Sequence, residues 1–96
     1  MKNSLLTIQG VQIAISPQDG ENFTLDELYS IIGCEFIEAV TLSPVLSMLI
    51  DEYGIMNEKP FNQLATLVLY QYHEIHRQRG TRILGNAAVV HLDNMN

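Results

Sequence analysis

Phe36-Ile37-Glu38-Ala39-Val40-Thr41-Leu42-Ser43-Pro44-Val45-Leu46-Ser47-Met48-Leu49-Ile50-Asp51-Glu52-Tyr53-Gly54 is the stretch that decides the fold. Over residues 36–42 apolar and polar positions alternate, with Phe36, Glu38, Val40 and Leu42 on one side and Ile37, Ala39 and Thr41 on the other. A period of two is the mark of a strand. Glu38 is the odd member of an otherwise apolar row. Ser43-Pro44 turns the chain, because proline lacks a donor for a β-ladder. Residues 45–50 then make a second strand, apolar enough to be central, and Asp51-Glu52-Tyr53-Gly54 closes it with a polar turn.

Downstream, residues 62–79 form the longest periodic segment and predict one long helix. Asn62 is its candidate cap, Leu64, Val68, Tyr72 and Ile75 recur at helical spacing, and Leu67 and Leu69 widen the stripe. Gly80 ends it. A last strand over residues 83–92 is interrupted at Gly85-Asn86, where a bend or bulge is expected.

Upstream, residues 4–8 and 11–15 read as two short strands joined at Gln9-Gly10, and Ser16-Pro17-Gln18-Asp19-Gly20 breaks the second. Thr24-Leu25-Asp26-Glu27 is a capping box: the Thr24 hydroxyl accepts from the Glu27 amide, and the Glu27 carboxylate reaches back to Thr24. A short helix starts there, carries Leu25, Leu28, Ile31 and Ile32 on one face, and stops at Gly33. The order β-β-α-β-β-α-β predicts an α+β fold with a mainly antiparallel sheet, one short helix and one long one. The chain, residues 1–96, is read as a single domain whose tail, 93–96, frays.

At 47% hydrophobic and 17% charged residues the chain is expected to fold rather than stay disordered. No apolar run approaches the roughly 20 residues of a bilayer span, so no membrane partner is expected. The start, Met1-Lys2-Asn3-Ser4-Leu5-Leu6, only faintly resembles a signal peptide. With a single cysteine, Cys34, no internal disulfide can form, and a reducing cytoplasm is the expected location. The net charge of −6 argues against general binding to nucleic-acid phosphates. Mimicry of DNA is also disfavoured, because eleven acids offset by five cations are sparse beside a duplex.

One segment departs from this acidity. His73-Glu74-Ile75-His76-Arg77-Gln78-Arg79-Gly80-Thr81-Arg82 sets three arginines against one acid, and the arginines can grip a phosphate or carboxylate through forked hydrogen bonds. The plainer reading is that cations in a last helical turn complement the helix dipole. His73, His76, Arg77, Arg79 and Arg82, with Tyr70 as an aromatic neighbour, are the candidate residues for a ligand or partner. Tyr70 and Tyr72 cannot share one helical face, so at least one is expected to be exposed or at an interface; packing in the core is the plain reading of Tyr72. His73 and His76 could share a metal with His91 or Asp93, but paired histidines at helical spacing are common without one, and no metal or cofactor is expected. Cys34 lies between a helix stop and a strand, where a small buried thiol is ordinary, and no nucleophile motif surrounds it. Isolated glycines make no phosphate loop. The chain is read as not an enzyme.

Leu25 through Gly33, Phe36-Ile37-Glu38-Ala39-Val40, Asp51-Glu52-Tyr53-Gly54, Lys59-Pro60-Phe61-Asn62-Gln63-Leu64-Ala65 and Ile83-Leu84-Gly85-Asn86-Ala87-Ala88-Val89-Val90 together resemble a family of small domains of unknown function common in phages and mobile elements. The resemblance spans residues 22–91. It implies a non-enzymatic accessory protein that binds and inhibits a host protein, such as a defence protein. The alternative is a binder that sequesters an anionic, nucleotide-like ligand. The wide stripe of the long helix adds a third expectation, a homodimer that buries the surplus apolar surface.

Overall fold

In the computed structural model, which describes residues 2–95, the hairpin of residues 36–54 forms as strands β3 (Ile37–Ser43) and β4 (Leu46–Asp51). The two pair antiparallel from Ile37 opposite Asp51 to Thr41 opposite Ser47, and the register shifts between Thr41 and Ser43. Around them lie β1 (Ser4–Leu6), β2 (Gln12–Ala14), α1 (Leu25–Ile32), α2 (Gln63–Tyr72), α3 (Glu74–Arg79), β5 (Ala87–His91) and a 3-10 turn, Leu92–Asn94. The five strands make one antiparallel sheet in the order β2-β1-β5-β4-β3, so β4 is interior and β3 is an edge.

Helices cover both faces of this α+β sheet. Phe23, Leu28 and Ile32 pack on Leu49, Ala88 and Val90 from one side. Ala65, Val68 and Leu69 of α2 pack on Leu6, Leu46, Met48 and Val89 from the other. Residues 87–90 of β5 and 46–49 of β4 are buried without interruption. A strand covered on both faces has no reason to alternate, which is why neither segment alternates in sequence and Ser47 is the one polar residue in them. At α1 the capping box closes as the sequence implies: the Thr24 hydroxyl accepts from the Glu27 amide at 3.1 Å, and the Glu27 carboxylate accepts from the Thr24 amide at 3.0 Å. Gly33, at φ 80°, ends the helix in the left-handed region.

The single long helix expected over residues 62–79 is two helices. His73 sits between them in an extended conformation, φ −141° and ψ 98°. No glycine or proline marks the break. Its cause is tertiary: the His73 imidazole stands 3.0 Å from the Thr41 carbonyl oxygen on β3, and the Tyr70 hydroxyl donates to the Thr81 carbonyl at 2.6 Å. Tyr72, His73, Ile75 and His76 are middling helix formers, so such contacts outweigh one turn of helical continuity. The expected order therefore gains a helix, β-β-α-β-β-α-α-β. The apolar stripe is also corrected. Ala65, Thr66, Val68 and Leu69 form the buried face of α2, while Leu67, Tyr72 and Ile75 are 44%, 37% and 46% exposed.

Other boundaries shrink toward the residues that the ladders hold. The first two strands are three residues each, joined by a turn in which Thr7 and Val11 are bonded and Gly10 takes φ 85°. The bend expected at Gly85-Asn86 is present, and it divides the last strand: Leu84 bridges to Phe61, and only Ala87–His91 enters the sheet. Up to Met95 the tail makes contacts with the α1 side of the sheet. The Asn94 carbonyl accepts from the Phe23 amide at 2.8 Å, its side chain donates to the Glu21 carbonyl at 2.7 Å, and Met95 packs on the α1 core. Met1 and Asn96, the ends of the expected single domain and tail, lie outside the described residues.

Candidate functional site

The break at His73 shapes the surface beside it. Because the chain turns there, α3 leaves the line of α2, and a cavity of about 570 Å³ opens beside β3, lined on that side by Ile75, His76, Thr81 and Arg82. Ligand clefts typically fall in the range of about 300–1,000 Å³. Its floor is apolar: Val40 and Ile50 from the sheet, Leu69 from α2 and Ile83 from the segment leading to β5. Ile55, 82% exposed, and Ile75, 46% exposed, form its lips. Glu38, Ala39, Val40 and Thr41 line it consecutively. Successive residues of a strand point to opposite faces, so the backbone edge of β3 itself is part of the wall.

Charge is divided across this groove. Glu38 lies directly opposite Ile50 in the ladder, and Glu52 follows two residues on, so both carboxylates occupy the α2 face at one end. Arg82 lines the groove with its guanidinium 4.5 Å from the centre of the Phe61 ring. The ion pairs among the described residues are Lys59 with Asp51 at 4.0 Å and Arg77 with Glu74 at 3.3 Å. Glu38, Glu52 and Arg82 belong to neither. Asp51, also in the lining, is 5% exposed and serves the turn: it accepts from the Tyr53 amide at 2.9 Å and from the Asn57 side chain at 3.2 Å.

Of the six candidate residues read from the sequence, the structure brings His73, His76 and Arg82 to the groove. The two imidazoles are 6.0 Å apart, centre to centre. A carbonyl oxygen only accepts, so His73 Nε2 carries the proton shared with Thr41, while His76 Nδ1 shares a hydrogen bond with the Thr81 hydroxyl at 3.1 Å. Arg77 and Arg79 are not in the lining. Arg77 pairs with Glu74 and lies 5.2 Å from the Tyr70 ring centre, and both arginines sit in the last turn of α3. Tyr70 is half-buried and tied to Thr81. The three arginines thus do not converge on one point. His91 and Asp93 are not in the lining either, and among the described residues no group of three or more His, Cys, Asp or Glu gathers to hold a metal.

Thr41, Ile55 and Glu52 are groove residues that sequence reasoning did not single out, whereas Glu38 carried a signal as the one charge in an apolar row. Cys34 lies elsewhere, packed at the margin of the α1 core, where burial and then the negative charge of Asp51 push its thiol pKa up. A thiol held protonated is a poor nucleophile. Among the described residues no helix is long and apolar enough to cross a membrane.

No curated protein and no solved structure matches this chain. One family model does, over residues 2–96, and by that match the chain belongs to the family described as Domain of unknown function (DUF3846).

Proposed function

We propose that this domain is a non-enzymatic binding module that takes up a segment of a partner protein in the groove between β3, α3 and the 51–55 turn. The observation that carries this reading is the groove itself. It has an apolar floor, lips of exposed isoleucine, and rim charges that have no ion-pair partner among the described residues, beside β3, the outermost strand of the sheet. An apolar centre with a polar rim is the anatomy of a protein interface. The resemblance to phage and mobile-element domains supports the biological setting: an accessory protein in the host cytoplasm that holds and inhibits a host protein, such as a defence protein.

Affinity capture from a lysate of the source cells tests it, with Ile55→Glu and Ile75→Glu on the lips and Ile13→Glu on the opposite edge as the control. A stoichiometric protein held by the wild type and by Ile13→Glu, and lost from both lip variants, is the expected result. Retention by all three variants places the site elsewhere.

A second reading, sequestration of an anionic nucleotide-like ligand, is favoured by the presence of Arg82, His73 and His76 in one groove and opposed by Glu38 and Glu52 at its end. A nucleotide in the purified protein, with no protein captured, selects it. For the homodimer, α2 retains Leu67 and Tyr72 as surface once its buried face is docked on the sheet. Light scattering that gives a monomer mass at micromolar concentration and above removes it.

A further inference from the structure

We propose that the segment bound in the groove is extended, adds as a sixth strand to the outer edge of β3, and carries a lysine or arginine that sits against Glu38 and Glu52. The inference rests on the groove as the binding site and specifies how the segment is held and what chemistry it presents.

The register fixes which backbone groups face outward. The Glu52 amide donates to the Phe36 carbonyl at 3.0 Å, and Glu38 and Val40 follow with the same phase opposite Ile50 and Met48. In an antiparallel pair, bonded and non-bonded positions alternate. Residues 37, 39 and 41 therefore turn their amides and carbonyls away from β4, toward the open side. The contact at Thr41 agrees, since its carbonyl is the one that His73 reaches from outside the sheet. His73 closes the far end of the edge at the Thr41 carbonyl, and the amides and carbonyls of Ile37 and Ala39, with the Thr41 amide, face the open side. Ala39, at the centre, has a side chain too small to obstruct an approaching chain.

Unpaired edge groups are a template for main-chain pairing, and alternate side chains of the added strand then supply specificity. Such a strand lies beside β3, so its α2-face side chains stand next to Glu38 and Val40, and a long one reaches across them toward Ile50 and Glu52. Neither carboxylate has an ion pair among the described residues, and the chain as a whole carries −6. A basic residue in the added strand complements both. The same carboxylates select against a second copy of this chain, which would bring its own Glu38 to the same edge.

Two capped peptides of alternating threonine and valine test the proposal, identical except for a central lysine in one and a glutamate in the other. The lysine peptide should perturb the amide resonances of residues 37–41 and slow hydrogen exchange at the Ile37 and Ala39 amides. It should bind about tenfold tighter than the glutamate peptide, as one charge-assisted contact implies, and Glu38→Gln with Glu52→Gln should erase that preference. Methylating alternate backbone amides of the peptide, which leaves the protein untouched, should abolish binding. Groove resonances that shift without slowed exchange at Ile37 and Ala39 overturn strand addition and leave the groove reading standing. Equal binding of the two peptides overturns the basic residue. No perturbation of residues 37–41 by either peptide at millimolar concentration, or an edge occupied by a second copy of the chain, overturns the proposal as a whole. Failure of the groove reading itself shows separately, in capture that is indifferent to Ile55→Glu and Ile75→Glu.

Discussion

His73 Nε2 lies 3.0 Å from the carbonyl oxygen of Thr41, 32 residues away in sequence, and joins the end of α2 to the edge of the sheet. This contact holds the chain at the point where helical geometry lapses, and so it sets the direction of α3 and the width of the groove. His73→Ala should lower stability by about 0.5–1.5 kcal/mol, the net worth of one hydrogen bond. Urea unfolding measures that loss. Hydrogen exchange should quicken at the Thr81 amide, which bonds to the His76 carbonyl at 2.9 Å and reports on α3. Unchanged exchange there would show that α3 is held by other contacts.

Asn62 is fully buried and ties three parts of the chain together. Its side-chain amide donates to the carbonyls of Leu6 at 2.9 Å and Gly85 at 2.8 Å, and its oxygen caps α2 by accepting from the Ala65 amide at 2.9 Å. Asn62→Leu should cost about 2–4 kcal/mol, because it leaves the Gly85 carbonyl and the Ala65 amide without partners and takes one of two donors from the Leu6 carbonyl, which faces Ala87 in the ladder. A midpoint shift in urea worth less than about 1 kcal/mol would mean that water or a local shift satisfies them.

What was legible in the sequence was local. Thr24 and Glu27 fall three residues apart and close a capping box; Gly33 and Gly85 take the positive φ that their turns require; Asn62 caps a helix. The break at His73 was not legible, since its cause lies on another strand and leaves no glycine or proline as a trace. The groove was hidden for the same reason: Val40, Ile55, Ile75 and Ile83 belong to four separate elements and loops. Their apolarity reads as core, though Ile55 and Ile75 are exposed. Glu38 was the exception, visible as a charge where its row called for an apolar residue.

Acid should weaken the start of α1 in a defined direction. The amides of Gln18 and Thr24 hold the Glu27 carboxyl below its usual pKa, and those of Glu21 and Asn22 do the same for Asp19. A carboxylate with a depressed folded pKa stabilises the fold above its unfolded pKa, and that stability is lost as pH falls through the folded value. Glu27→Gln should therefore be less stable than the wild type at neutral pH, and the gap should close in acid below the usual carboxylate range. Thr24→Ala removes the other half of the box and should cost about 1 kcal/mol at either pH. A gap for Glu27→Gln that persists undiminished in acid would contradict the assignment.

Cys34 should react slowly. With its thiol pKa raised by burial and by the charge of Asp51, the folded protein should be alkylated by iodoacetamide more slowly than the unfolded chain at neutral pH. The rate should climb only at pH values above those at which an ordinary thiol ionises. Fast alkylation of the folded protein at neutral pH would contradict this and reopen a chemical role for the thiol.

Photo-crosslinking tests the groove as the binding site most directly. A benzophenone side chain is placed at position 55, on the lip, where the residue is 82% exposed, or at position 13, on the opposite edge strand, where it is 46% exposed. Each protein is irradiated in a lysate of the source cells. One discrete protein adduct from position 55 and none from position 13 is the expected result. Equal adducts from both positions, or an adduct from position 13 alone, would contradict it.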